Sequence, residues 1–323
     1  MSSLTDQDLL QLKKTFPQLK IRTNFLLSKL TYFKIGGPAE ALIRVNTRQD
    51  LIELVNYCST QNFKFTILGG ASNVIVADEG VEGLVILTRH HKIEILDESS
   101  QKTRLRVDSG ITTAGLVRES VDLGLTGLEP FSGIPGSLGG AIYNNSHFQT
   151  ELIGTLVDQV EVITQQGDIL WIKQANCDFA YDHSRFQTSR EIILRIDFIL
   201  LKCDPQLGKQ KMKGPTLYRA KTQPLALPSS GCIFKNVPNT DKLKQQFPQF
   251  ADQALLSAGF LIDQAGLKGT QVGDIQVSSK HAAFMVNLGH GTANDLSQLI
   301  ELVKQKVKEK FAIKLEEEVF WLH

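Results

Sequence analysis

Between Glu129 and Asn145 the chain reads EPFSGIPGSLGGAIYNN. Gly133, Gly136, Gly139 and Gly140 crowd this stretch, and Pro135 fixes the turn between the first two. Glycine tolerates positive φ and lets backbone come close to a ligand. Consecutive open N–H groups in such a loop form a concave anion site suited to a pyrophosphate. The spacing is neither G-x-G-x-x-G nor G-x-x-x-x-G-K-[ST], which excludes the Rossmann and P-loop readings. On glycine content alone, a purely structural turn explains the stretch equally well.

Two further turns shift that balance. Leu68 to Val76 reads LGGASNVIV, and Thr31 to Ala39 reads TYFKIGGPA. Three glycine turns, each flanked by short apolar strands, imply a cofactor with a long polyphosphate spine.

The rest of the chain bounds what surrounds them. At 323 residues two or three domains are expected. Hydrophobic residues at 42% and charged ones at 21% fit an ordinary globular protein. With 35 basic and 34 acidic residues there is no basic field for nucleic acid, so an anionic ligand must be held by local groups. No apolar run approaches the roughly 20 residues that span a bilayer. The N-terminal MSSLTDQDLL lacks the basic and apolar regions of a signal peptide. Cys58, Cys177, Cys203 and Cys232 form no C-x-x-C and no zinc spacing. They read as reduced thiols of a cytoplasmic protein that holds no metal.

Periodicity supplies the elements. A polar helix covers Thr5 to Phe16. Phe63, Phe65 and Ile67 alternate, as do Leu105 and Val107. Leu194, Ile196, Phe198 and Leu200 alternate as well, with Arg195 and Asp197 turned outward. Period two with one polar face predicts half-buried strands. Thr47 with Asp50 predicts a helix start, and another helix covers Ala114 to Val121. Gln165-Gln166-Gly167-Asp168 predicts a hairpin turn. Lys202 to Pro215, polar and carrying Pro205, Gly208 and Gly214, predicts a domain boundary. Beyond it come a helix over Ala251 to Ala265 and strands at Gly273 to Ser278 and Ala283 to Asn287. The strongest helix signal opens at Thr292 with Asp295 as its N3 residue. Its apolar stripe is Leu296, Leu299, Ile300, Val303, Val307 and Phe311.

TYFKIGGPAE, LGGASNVIVADEG, GLEPFSGIPGSLGGAIYNN, SSGCIFKN, SAGFLIDQAGLKG and SSKHAAFMVN occur in that order. Together they closely resemble the bacterial UDP-N-acetylenolpyruvoylglucosamine reductases, FAD enzymes that make UDP-N-acetylmuramate for peptidoglycan. The resemblance runs from about Asn24 to the C-terminus. It implies an α+β chain: a two-lobed FAD-binding domain of the vanillyl-alcohol-oxidase (PCMH) type, then a smaller α/β substrate-binding domain. The expected boundaries are an appendage at 1–22, the FAD domain at 23–204 and the substrate domain at 205–312. The tail at 313–323 is expected to return to the first lobe. No extra tyrosine loop is evident, which points to the shorter family type. A cytoplasmic monomer is expected, with UDP-N-acetylglucosamine enolpyruvate as partner, NADPH as co-substrate, and neither nucleic acid nor membrane.

The same resemblance assigns residues. FAD contacts fall to Gly36 and Gly37, to Gly69, Gly70, Ala71, Ser72 and Asn73, and to the loop Gly133, Ile134, Pro135, Gly136, Ser137, Gly139, Gly140 and Asn145. Cys232 stands where the family keeps its proton donor, usually serine and sometimes cysteine. A thiol of ordinary pKa about 8.5 is mostly protonated at neutral pH and is a better acid than a hydroxyl. Within Leu315-Glu316-Glu317-Glu318-Val319, register selects Glu318 as the family's terminal glutamate. Glu316 is the runner-up, since the two share a face if the tail is a strand. Tyr181, Arg219, Lys235 and Asn236 are the expected substrate contacts, although Arg219 reads equally as a surface residue.

One position departs from the family pattern. The family has Tyr-Arg-x-Ser where this chain has Tyr181-Asp182-His183-Ser184. The family arginine stabilises the substrate carboxylate or enolate, and an aspartate would repel it. Either Arg185, oriented by pairing with Asp182, takes the role, or the site is impaired; substitution by Arg185 is the reading preferred here. His147 also replaces a residue that is small in the family and carries no expected role. His90-His91 reads as surface.

Overall fold

The computed structural model describes residues 4–323, so the first three residues of the expected appendage lie outside it. The chain divides into two compact units by contact. The first comprises residues 4–25, Ala39–Ala71 and Val81–Arg219; the second comprises Leu26–Pro38, Ser72–Gly80 and Ala220–His323.

The first unit holds two sheets. In one, the strand order is Ile21–Leu26, Pro38–Val45, Val81–Thr88, Phe65–Leu68. Val81–Thr88 runs parallel to both of its neighbours. Parallel neighbours need a crossover, and the helix Arg48–Thr60 supplies it between Pro38–Val45 and Phe65–Leu68. Thr47 caps that helix by accepting the Asp50 N–H. Its buried Leu51, Ile52, Leu54, Val55 and Cys58 pack against Ala41, Ile43, Val45, Leu84 and Ile86 of the sheet.

The second sheet is antiparallel, in the order Ile169–Lys173, Val157–Ile163, Ile192–Lys202, Lys102–Asp108, Ile93–Glu98. The expected hairpin at Gln165 to Asp168 joins the first two of these strands. Ile196, Phe198 and Leu200 face the core as their alternation requires. Asp197 on the other face is nevertheless fully buried, because Arg104, Arg106 and Gln159 of the neighbouring strands close over its carboxylate. His90 is likewise buried rather than exposed. Its Nε2 sits 3.1 Å from the Leu194 carbonyl and 3.2 Å from Ser109 Oγ. Burial pushes that imidazole below the ordinary histidine range.

Glu161 ties the crossover helix to this sheet. It accepts bidentate hydrogen bonds from Arg48 at 2.7 and 2.8 Å and from Arg195 at 2.8 and 2.8 Å. Burial alone would raise its pKa, but the two guanidiniums prevail and hold it below the ordinary value. A lowered carboxylate stabilises the fold fully at neutral pH, and that contribution is lost as pH falls through the acidic range. Glu161→Gln is expected to cost about 3 kcal/mol, because removing one partner leaves buried charge uncompensated. Urea unfolding at pH 7 measures the loss. At a pH low enough to protonate Glu161 the wild type and the variant should converge.

The expected boundary at Lys202 to Pro215 is instead the start of a helix, Pro205–Thr222. Pro205 suits a first helical turn. Asp204 caps it by accepting the Gln206 and Leu207 N–H groups. Gly208 is there for packing, since a Cβ would stand 2.9 Å from Val121 Cγ1. The expected helix at Ala251 to Ala265 is shorter, Ala258–Gln264, with Ser257 as its cap. Leu255–Leu256 pairs as a strand with Val237–Pro238 instead.

The second unit is built on the helix Ala293–Phe311, whose six-residue apolar stripe is buried. Thr292 and Asp295 form the capping box, and the Asp78 carboxylate accepts the Ala293 and Asn294 N–H groups at 2.8 and 2.9 Å. Strands Ile275–Val277 and Met285–Asn287 form a meander with Gln271–Val272. The terminal strand Phe320–Leu322 adds in parallel to Val74–Val76. Among the described residues no helix is long and apolar enough to cross a membrane.

Candidate active site

In the first unit the loops at Gly70 and Gly136 meet backbone against backbone. A Cβ on Gly70 would collide with Gly136 Cα and lie 2.6 Å from the Ser137 nitrogen. Ser137 Oγ accepts the Gly70 N–H at 3.2 Å and the Gly140 N–H at 3.4 Å. The amides of Gly133, Gly136 and Ser137 donate to no acceptor among the described residues. Ser132 Oγ is buried with no hydrogen-bond partner. Arg219 approaches the same loop, with its Cδ 3.4 Å from where a Cβ on Gly133 would be and its guanidinium over the Phe148 ring. Open amides and an orphaned hydroxyl make a donor-rich cradle. It fits the pyrophosphate of a dinucleotide such as FAD.

Several residues expected at the cofactor also hold the fold together. Asn145 is wholly buried; its Nδ2 donates to the Ala180 carbonyl at 2.7 Å and its Oδ1 accepts the Gly154 N–H at 2.9 Å. Its carboxamide is thus engaged within the fold. Gly139 donates to the Ser109 carbonyl, and a Cβ there would press on Ser109. In the second unit Gly36, at φ +120°, packs on Val76, and Gly37 donates to the Ala77 carbonyl. Asn73 Nδ2 donates to the Glu318 carbonyl at 3.2 Å.

The second unit brings the proposed proton-transfer residues together. The Cys232 segment is held on two sides. Cys232 bridges to Phe284, and the Ile233 N–H donates to the Ala283 carbonyl at 2.9 Å. On the other side the tail pairs with the segment: the Glu318 N–H donates to the Ile233 carbonyl at 2.8 Å, Phe234 bridges to Glu317, and the Lys235 N–H donates to the Glu316 carbonyl at 2.9 Å. Glu318 is thus backbone-bonded to the residue next to Cys232. The acidic run sorts itself by environment. Glu316 is exposed, whereas Glu317 is fixed by Lys304 Nζ at 2.6 Å and Trp321 Nε1 at 2.7 Å. Cys232 and Glu318 are only half-buried. By contrast, burial pushes the Cys58 and Cys177 thiols up to about 12, which removes them from proton chemistry at neutral pH. Asn236 Oδ1 accepts the Ala258 N–H at 3.2 Å.

The pair expected between Asp182 and Arg185 does not form. Arg185 donates to Glu191 through Nε at 3.1 Å and Nη2 at 3.0 Å, and to the Asn176 carbonyl through Nη1 at 3.1 Å. Asp182 instead faces His147, with Oδ1 3.1 Å from Nδ1. The Tyr181 ring packs on the same imidazole, their centroids 4.8 Å apart. His147 was overlooked from sequence, although its substitution for a small residue beside a displaced arginine was the available signal.

Residues 39–173 match the FAD binding domain family, and residues 223–322 match the UDP-N-acetylenolpyruvoylglucosamine reductase, C-terminal domain. A UDP-N-acetylenolpyruvoylglucosamine reductase from Chlamydia felis is 37% identical over 306 residues, covering 94% of this chain and 95% of the relative. One from Limosilactobacillus fermentum is 38% identical over the same shares of each chain. The crystal structure of the Thermus caldophilus reductase superposes with a TM-score of 0.76 at 29% identity, covering 94% of this chain and 100% of that one. On fold, cradle and sequence alike, this α+β flavoprotein, with its two-lobed FAD-binding domain and smaller substrate domain, belongs to the UDP-N-acetylenolpyruvoylglucosamine reductase family.

Proposed function

We propose that the chain reduces UDP-N-acetylglucosamine enolpyruvate to UDP-N-acetylmuramate with NADPH. The carrying observation is the pairing of the Cys232 segment with the tail that bears Glu318. The proposed division is FAD binding by 23–204 and substrate binding by 205–312, with the tail at 313–323 completing the site.

When bound, FAD supplies two-electron hydride transfer from the reduced nicotinamide to C3 of the enolpyruvyl group. The chain's own work is to hold, orient and protonate. The amides of Gly133, Gly136 and Ser137 cradle the pyrophosphate of the cofactor. The Cys232 thiol gives its proton to C2, discharging the enolate that develops as C3 accepts hydride. Glu318 steers that proton transfer. Lys235 and Arg219 are suited to the diphosphate of the substrate. Tyr181 and Asn236 provide further substrate contacts. For Arg185 to act as counter-charge to the substrate carboxylate, it would have to leave Glu191.

The reading is tested by mixing the yellow holoenzyme with NADPH, then with the enolpyruvyl substrate in the absence of oxygen. Bleaching of the flavin absorbance, followed by recovery on adding substrate, is the expected result. Recovery with oxygen alone would instead indicate an oxidase, and no bleaching would indicate a flavin-binding protein without reductase activity.

A further inference from the structure

Asp182 occupies the tip of a tight turn in which Ala180 and His183 exchange backbone hydrogen bonds at 3.1 and 3.2 Å. Its φ is +50° and its side chain is buried. One carboxylate oxygen faces His147 Nδ1; the other, Oδ2, is buried with no hydrogen-bond partner. A buried, half-satisfied carboxylate needs a cationic or donor neighbour. His147 is the neighbour that the fold provides.

The pair is held rigidly. Gln187 Nε2 donates to the Tyr143 carbonyl at 3.0 Å and to the Asp182 carbonyl at 3.1 Å. Ser184 Oγ donates to the Tyr143 carbonyl at 2.6 Å. These bonds lock the turn to the end of the glycine loop that carries His147. The imidazole is 24% exposed, and its Nε2 makes no hydrogen bond to any described residue. A carboxylate on Nδ1 fixes the ring orientation, leaving Nε2 to meet a ligand.

We propose that His147, oriented by Asp182, is the group that meets the carboxylate of the enolpyruvyl substrate. This rests on the reductase reading. In the proposed contact both ring nitrogens donate, Nδ1 to Asp182 and Nε2 to the substrate carboxylate, and the second hydrogen bond strengthens as the enolate develops. Asp182 is a positioning residue: it does not touch the substrate, and its charge is offset by the ring it holds. The rival cation, Arg185, is held through all three of its nitrogens by Glu191 and the Asn176 carbonyl.

The test uses holoenzyme variants His147→Ala, His147→Arg, Asp182→Asn and Arg185→Ala, each reduced with NADPH and then mixed with the enolpyruvyl substrate. His147→Ala should slow substrate-driven flavin reoxidation by about 10²-fold. Added imidazole and the His147→Arg change should each restore part of that rate, which a purely structural role would not allow. Asp182→Asn should fall between wild type and His147→Ala, and substrate titrated into the oxidised protein should perturb the flavin spectrum less readily in both. Wild-type reoxidation by His147→Ala overturns the proposal, as does a loss that neither imidazole nor arginine restores. So does a large loss in Arg185→Ala with His147→Ala intact. A wild-type protein that substrate cannot reoxidise is a different result: it removes the reductase reading itself.

Discussion

Cys232→Ala is expected to leave NADPH bleaching of the flavin intact while slowing reoxidation by the enolpyruvyl substrate about 10³-fold. General acid catalysis by a positioned side chain contributes about 10²- to 10⁴-fold, and the variant removes the acid without touching the cofactor cradle. The fold should tolerate it, because Cys232 is half-buried and its segment is held by backbone pairing to Ala283 and to the tail. Cys58 and Cys177 cannot substitute, because both are buried with thiols pushed up to about 12. Cys232→Ser should recover a large part of the rate, since a hydroxyl can also deliver a proton. Stopped-flow absorbance at the flavin band separates the two half-reactions. If flavin reduction is the step that fails, or if reoxidation is untouched, the acid is another group, and Glu318 is the first to examine.

Gly70→Ala should yield protein that purifies without its yellow colour. The new methyl group would land on Gly136 Cα, with the Ser137 nitrogen 2.6 Å away. Both obstacles are backbone, so no side chain can swing aside and the two loops must part. Parting them breaks the Gly70 bond to Ser137 Oγ and moves the open amides of Gly136 and Ser137 off a shared anion. Two hydrogen bonds to a charged group, at about 1.5–3 kcal/mol each, correspond to roughly 10²- to 10⁴-fold weaker flavin binding. Titration of FAD into the apoprotein, followed by flavin fluorescence, measures it, with far-UV circular dichroism checking that the sheets persist. Wild-type affinity in this variant would mean that the cradle is not where the cofactor is held.

The elements legible from sequence are those whose signal lies along a single segment. The helix at 293–311 announced itself by its stripe and its Thr292/Asp295 cap, and the structure keeps both. The alternation of Leu194 to Leu200 gave a strand. The Pro205–Thr222 helix was misread because Gly208 and Pro205 look like breakers in isolation. One is there to pack on Val121, and the other opens the helix behind the Asp204 cap. The buried charges were misread for a related reason. Alternation correctly turned Asp197 away from the hydrophobic face, but it says nothing about the arginines that close over it.

By itself, the sequence carried the α+β class, through its periodic elements, and the family, through six ordered motifs, because each of these signals lies in contiguous residues. Only the tertiary structure decided which charges meet. Asp182 takes His147 from 35 residues away, Arg185 is claimed by Glu191, and Glu317 is fixed by Lys304 and Trp321. The physical reason is that hydrophobic periodicity records how one element is buried, whereas the partner of a polar side chain is set by which distant segments the packed core presses together.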